Sequence, residues 1–399
     1  MLRTIVELYD KEPVENVLAA CAFQPERVVY VCDKRDSSLR KEMAVTRLFK
    51  SRGLATQARF YYVDVLNLAQ INRTFAAIKK DYPDCAFDFS GGTDLVLAAA
   101  GTFCRDSHVP AFYIDIRGGS LVDIYGCTHL AALYRTPVFS AADIFALQDA
   151  AILGNGHFGV QQLDDTFKDT VYAIWDMMLQ NVEAWASFVG WLQAAGRKTP
   201  ETQLAVTADK YIRVNAQSTS RTNEALLYKL QTLGVLQNVQ VTHGAVSFSY
   251  ATPMLKASLT NHGIWLELFG YYVARDTGLF DGVYTSVVVD WNADKTGAAR
   301  NGYTTRNEID LLLIKGITPV FISCKMGVPS PLALSEIKIL SEKFGGARTR
   351  TVLMSGANIK ESDIAITQRA KDLDITVIDR SDLTQERLAL WFKRIAAEK

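Results

Sequence analysis

From Thr4 to about residue 140, short apolar runs alternate with amphipathic stretches. TIVELYD, VVYVCD, ARFYYVDV, CAFDFS and AFYIDI are rich in β-branched and aromatic residues, as strands are. PVENVLAACAF (begun by Pro13), MAVTRLFKSRG, INRTFAAIKKDY and LVLAAAGTFCRD carry apolar residues at helical spacing. Strands apolar on both faces, alternating with helices, predict a parallel sheet covered on both sides, hence a Rossmann-like domain over residues 1–145. From about 141 to 197 the pattern turns helical, and Trp175, Trp185 and Trp191 form an apolar stripe expected to be core or dimer contact. TNEALLYKLQTLGVL then reads as a helix and VQVTHGAVSFSY as a hairpin turned at His243–Gly244, the order of a winged helix. Residues 146–257 are therefore expected to be a helical linker and winged-helix-like connector. Arg213, Arg221 and Lys229 form no basic cluster there, which favours a connector over a DNA-reading wing.

Residues 258–399 follow a different order: helix GIWLELFGYYVARDTG, strands VYTSVVVDW, EIDLLLI and PVFISCK, helix PLALSEIKILSEKFGG, strand RTVLMS. A further helix, the strand TVID and a terminal helix follow. The polar stretch 292–307 is long for a loop inside a compact domain and is expected to gate substrate access.

Composition narrows the function classes. A chain of 399 residues exceeds one ordinary core, so two or three domains are expected. Basic and acidic side chains balance at 43 each, so any nucleic-acid binding must use a local patch rather than an overall field. No apolar run reaches the roughly 18–20 residues of a membrane span and no signal segment opens the chain, so a cytoplasmic protein with no membrane partner is expected. Six cysteines without a CxxC pair and five dispersed histidines fit neither a disulfide framework nor a zinc site.

The candidate chemistry lies at one hairpin. LLLI and PVFIS flank a turn at Lys315–Gly316, so folding brings Asp310 opposite Ser323–Lys325. Residues two apart share a strand face, which sets Glu308 beside Asp310 and Ser323 beside Lys325. Glu267 lies on the helix opening this domain, and Asp290 ends its first strand. Buried charges of this kind need pairing or an ion. Oxygen donors without histidine or cysteine favour Mg²⁺ or Mn²⁺, held by Glu267, Glu308 and Asp310 with Asp290 assisting. Lys325 would orient an attacking water or neutralise developing charge. Cys324, with no histidine near it in sequence, reads as core.

The order αβββαβ, with an acid opening the second strand and a lysine ending the third, resembles the PD-(D/E)xK nuclease superfamily. The resemblance implies that Asp310 is the signature acid, Lys325 the lysine, and Glu267 the helix glutamate of resolvase-like members. It departs at Ser323, where the family has an acid, and Glu308 is the candidate for that charge.

In the first domain, Ser90, Gly91, Gly92 and Thr93 form a tight turn from strand to helix, a place suited to an anion such as phosphate. Loops at the same sheet edge carry Asp10 and Lys11, and Lys34, Arg35 and Ser37. Neither GxGxxG nor GxxxxGK[ST] occurs. The turn resembles the SGGT-type motif of CARF domains, the CRISPR-associated Rossmann folds that bind cyclic oligoadenylates. Asp94 follows the threonine where many of those domains carry a basic residue. This moves the expected phosphate contact to Lys11, Lys34 or Arg35.

Together the three parts resemble the CARF-containing ancillary nucleases of type III CRISPR systems. That resemblance implies activation by cyclic tetra-adenylate and a homodimer with ligand on its two-fold axis. It also implies metal-dependent cleavage of single-stranded DNA, RNA or supercoiled DNA in antiviral defence. Two other readings stay open: a ligand-responsive winged-helix transcription regulator, and a constitutive repair or restriction-type nuclease.

Overall fold

The structure, a computed structural model, describes residues 2–36, 39–116, 118–155, 163–197, 199–200, 202–213, 218–261, 263–292 and 306–398. The expected Rossmann strands form β1 (Thr4–Leu8), β2 (Arg27–Asp33), β3 (Gln57–Val63), β4 (Cys85–Asp88) and β5 (Ala111–Asp115). They are parallel in the order β3-β2-β1-β4-β5, and β6 (Ser120–Tyr125) adds an antiparallel edge. The crossovers are α1 (Glu15–Phe23), α2 (Leu39–Ser51), α3 (Leu68–Asp81) and α4 (Asp94–Asp106). Val6, Val29 and Phe87 bury one face with Ile71 and Phe75 of α3 and Val96 of α4, while Ile5, Val28 and Tyr30 bury the other with Leu18 of α1 and Leu48 of α2. Two short helices, α5 (Thr128–Leu133) and α6 (Ala141–Leu147), close the domain.

The helical pattern read from 141 is interrupted by β7 (Ala151–Asn155), which leaves the first domain and pairs with a strand of the last. After it come α7 (Asp165–Gln180) and α8 (Val182–Gly196). The tryptophan stripe is core within one chain: Trp175, Trp185 and Trp191 are almost fully buried. The Trp191 indole donates to Asp209 O at 3.1 Å. Next are β8 (Ala205–Asp209), β9 (Tyr211–Arg213), β10 (Thr219–Arg221), α9 (Glu224–Thr232), β11 (Leu236–Val241) and β12 (Ala245–Tyr250). The hairpin β11–β12 takes β8 as a third strand, which completes the winged-helix-like unit.

The last third runs α10 (Pro253–Leu259), α11 (Ile264–Thr277), β13 (Gly282–Asp290), β14 (Arg306–Lys315), β15 (Thr318–Lys325), α12 (Pro331–Gly345) and β16 (Arg350–Ser355), then α13 (Ile359–Ser362), α14 (Ile364–Asp372), β17 (Ile375–Ile378) and α15 (Gln385–Ala397). Its sheet order is β17-β16-β15-β14-β13-β7. α11 covers one face, where Trp175 stacks on its Phe269 at 4.8 Å between ring centroids. α12 covers the other, which is continuous with the Rossmann core through Phe145, Phe321 and Phe344. The ion pair Arg348–Glu15 ties the first domain to this body, Arg47–Asp149 at 2.5 Å anchors the segment leading into β7, and Arg52–Asp143 at 2.8 Å holds α6 within the first domain. No helix among the described residues is long and apolar enough to cross a membrane.

Candidate functional sites

β13 and β14 pair in register on both sides of one level, Thr285 with Leu311 and Val287 with Ile309. At that level their sidedness slips. Ile309 joins the core on the α12 side and Leu311 the core under α11, although regular strand alternation would put both on one face. Ser286 on β13 takes φ +50, a conformation few side-chain-bearing residues adopt. The slip turns Ser286 toward α11, where its hydroxyl donates to Glu267 Oε2 at 3.1 Å. Asp310 at the same level reaches across β15. Its Oδ2 accepts from Cys324 N at 2.7 Å, Ser323 Oγ at 3.2 Å and Lys325 Nζ at 3.2 Å.

Burial, then Asp310 and Glu308, push the Glu267 carboxyl up to about 8, against the opposing pull of Ser286 and Lys325. Burial opposes the charge on Lys325, but Asp310 more than offsets it by charge and hydrogen bond, so the ammonium is held more firmly than usual. Cys324 is fully buried, its thiol pushed far up by burial and then by Asp310 and Glu267, which makes it core rather than nucleophile. Asn307, Glu308, Asp310, Ser323 and Lys325 line a cavity of about 80 Å³ closed by α12. The structure thus brings Glu267, Glu308, Asp310 and Lys325 together. Asp290 lies further along, opposite Arg306 where Glu308 stands opposite Val288. Its Oδ1 accepts from Asn292 N at 2.9 Å and its buried Oδ2 has no partner among the described residues.

An all-oxygen donor set with more carboxylates than cations suits a hard divalent ion. Among the described residues no three acidic, histidine or cysteine side chains are gathered tightly enough to hold one as they stand. Coordination therefore requires a side chain at the cavity rim to turn inward, and Glu308 is exposed there. Of the stretch 292–307 expected to gate this site, Arg306 and Asn307 belong to β14, and residues 293–305 lie outside the described residues.

A larger cavity, about 450 Å³, opens at the carboxyl ends of β1, β2 and β4. Its walls include the expected Asp10, Lys11, Gly92 and Thr93. Ser90 and Gly91 face inward instead. The Ser90 hydroxyl donates to Asp88 Oδ1 and accepts from Ile114 N at 2.9 Å, bolting β4 to β5. A Cβ on Gly91 would meet Leu8 O at 2.8 Å, and one on Gly92, whose φ is +105, would meet Leu8 Cβ at 2.8 Å. The two glycines let this turn press against β1. Lys34 is paired with Asp64 at 2.8 Å and Arg35 with Asp33 at 2.6 Å, so both are engaged away from an anion. Ser37 lies outside the described residues.

Motif reading missed the aromatic and charged walls: Tyr9, Phe60, Tyr62, Lys41 and Glu42. Tyr30 stacks on Phe60 at 4.8 Å and meets Tyr9 edge-on at 5.8 Å. The Tyr62 hydroxyl donates to Glu42, and Lys41 lies over the Tyr9 ring at 5.5 Å. The sequence signal was the i, i+2 spacing of Phe60 and Tyr62, which puts both rings on one face of β3. Behind the turn, Glu7 and Asp88 are neighbours in register on β1 and β4, both fully buried. Burial pushes Asp88 up to about 7 despite its bonds from Ser90, and pushes Glu7 well above the usual carboxylate range.

The fold and its two sites define a class: a Rossmann domain with a ligand-sized pocket, sharing a hydrophobic core with an αβββαβ domain that carries a carboxylate–lysine centre. No protein-family model and no curated protein matches the chain. Solved structures do match. The chain is similar to protein VC1899 from Vibrio cholerae over the full length of both, at TM-score 0.77 and 19% identity. It is also similar to Can2 from Sulfobacillus thermosulfidooxidans in complex with cyclic tetra-adenylate, covering 98% of this chain and 97% of that one, at TM-score 0.68 and 16% identity. At these identities the likeness establishes the fold, and at that level it bears out the CARF-nuclease resemblance.

Proposed function

We propose that the protein is a metal-dependent endonuclease switched on by a cyclic oligoadenylate, cyclic tetra-adenylate first, in CRISPR-based antiviral defence. The observation that carries this reading is the pairing, in one chain, of the Lys325–Asp310 centre beside Glu267 with a pocket of about 450 Å³ at the Ser90–Thr93 turn. The fold that joins them is shared with Can2, whose structure holds cyclic tetra-adenylate. The working form is a cytoplasmic homodimer, because a symmetric cyclic ligand matches two copies of one pocket.

At the nuclease centre, Asp310, Glu267 and Glu308 would hold Mn²⁺ or Mg²⁺, which would supply Lewis-acid stabilisation and lower the pKa of an attacking water. Lys325, fixed by Asp310, meets the negative charge that develops on the scissile phosphate. At the pocket, Lys11, Lys41 and the backbone N–H groups opening α4 face the phosphates. Tyr9 and Phe60 offer stacking surfaces to purines.

A physical connection between the sites supports switching. The loop after β1 carries Asp10 and Lys11 into the pocket, and Glu15, just beyond it, pairs with Arg348 in the short turn that follows α12. Gly346, at φ +64, comes so near Glu12 that an added Cβ would lie 2.2 Å from its carboxylate. α12 then runs back to close the nuclease cavity. Ligand drives activation only if the active arrangement holds it more tightly.

Cleavage of single-stranded DNA, single-stranded RNA and supercoiled plasmid with Mn²⁺, with and without cyclic tetra-adenylate, tests the proposal. Cutting that needs both ligand and Lys325 is expected and will identify the substrate. Cutting without ligand would leave a constitutive nuclease. No cutting despite tight ligand binding would leave a regulator.

A further inference from the structure

The structure points to a metal-ligating residue outside the sequence motif: we propose that Glu336 on α12 supplies the carboxylate that strand position 323 lacks. The inference rests on the reading above that this centre holds a divalent cation.

Position 323 shares a face with Lys325, two residues away, and carries only a hydroxyl, already directed to Asp310 at 3.2 Å. In front of it lies the cavity of about 80 Å³, room for an ion and one or two waters. The opposite wall is one face of α12, formed by Ala333, Glu336, Ile337 and Leu340 at i, i+3, i+4 and i+7. Ile337 and Leu340 are buried and dock the helix on the sheet. Ala333 is small and leaves the cavity open. Glu336 is the one acid in this row, at its exposed edge on the rim of the cavity.

Glu336 is exposed at the cavity rim, and among the described residues no hydrogen bond or ion pair holds its carboxylate. Turning inward breaks nothing. Glu342, two turns on, behaves differently: it pairs with Lys338 at 3.6 Å. A glutamate that serves only to solvate α12 would resemble Glu342. With Glu336 turned in, the cavity has carboxylates from β14 and α12 on two sides and Lys325 on a third. An acid at position 323 would have completed such a set from the strand itself.

Mn²⁺ titration of the full-length protein by calorimetry tests this without any cleavage readout. Glu336→Gln should weaken Mn²⁺ binding by about tenfold or more, while Glu342→Gln leaves it unchanged. Adding Ser323→Glu to Glu336→Gln should restore most of the affinity, because the carboxylate returns from the strand. The same Ser323→Glu should fail to rescue Asp310→Asn. Glu336 and Glu342 are both exposed, so the single variants should melt at the wild-type temperature. Mn²⁺ affinity within twofold of wild type in Glu336→Gln, with binding lost in Asp310→Asn, overturns the role of Glu336 and leaves the nuclease reading standing. No saturable Mn²⁺ binding in the wild type overturns both.

Discussion

The Rossmann pocket holds about 450 Å³ and is walled by strand-end loops, aromatic rings and the start of α4. The cavity on the C-terminal sheet holds about 80 Å³ and is walled by strand residues and one helix face. The first has the volume of a small-molecule site. The second has room for an ion, a water and one phosphate oxygen. Their construction differs. Strand residues bonded to both neighbours hold a carboxylate within the tolerance chemistry demands. Loops at the ends of parallel strands can rearrange around a ligand and transmit the change. Near each lies a carboxyl whose ionisation burial disfavours. Behind the smaller cavity this is Glu267, pressed by burial and by Asp310 and Glu308, whose ionised form a bound cation would favour. At the pocket it is the Glu7–Asp88 pair, which a proton relieves.

The largest expected effect breaks the Lys325 cavity alone, under the nuclease reading proposed above. Lys325→Ala should lower ligand-stimulated cleavage by about 10²-fold or more, with cyclic tetra-adenylate affinity unchanged. If ligand affinity falls in parallel, the two sites are not separable. Gly92→Val should do the reverse: the new side chain meets Leu8 and strains φ +105. A cost of about 1–3 kcal/mol at the turn should weaken ligand binding while Mn²⁺ affinity stays at the wild-type value.

Asp88→Asn sharpens the contrast through pH. Its carboxyl sits at about 7 in the folded chain, against 3.8 for the ordinary group. Between those values the folded state keeps a proton that the unfolded state has lost. Stability therefore falls as pH rises through that window and is lowest above it. Removing the charge should raise Tm at pH 8, by a gain on the order of 2 kcal/mol, and the advantage should fade toward pH 4. A pH-independent difference in Tm would refute this.

Arg348→Ala tests the connection between the sites. It should raise the ligand concentration for half-maximal cleavage severalfold, about 1 kcal/mol of coupling, and the unstimulated rate should stay low. The smallest effect belongs to Lys34→Ala. That side chain is already paired with Asp64 on the surface, so ligand affinity should change less than about twofold.

Much of this architecture was legible in the chain. Alternating apolar runs placed β1 to β5 and the helices between them, because a strand buried on both faces has few other compositions. The spacing of Glu308, Asp310 and Lys325 placed the hairpin, and Gly91–Gly92 marked the turn. β7 was not legible. Five residues in a helical context carry too little periodicity to announce a strand, and only its pairing with β13 makes it one. Asp290 was expected in the ligand set on strand position alone. Its place along the ladder, opposite Arg306 rather than beside Asp310, comes from strand register.

The sequence by itself determined which segments bury, which charges must be neutralised and where the backbone turns tightly, because each follows from neighbours within a few residues. The tertiary structure decided which charges meet. The slip at Ser286 and Asp310 delivers Glu267 and Lys325 to one carboxylate, and the docking of α12 carries Glu336 to the same cavity. Register, sidedness and helix docking are settled by packing between distant segments, and local patterning has no term for them.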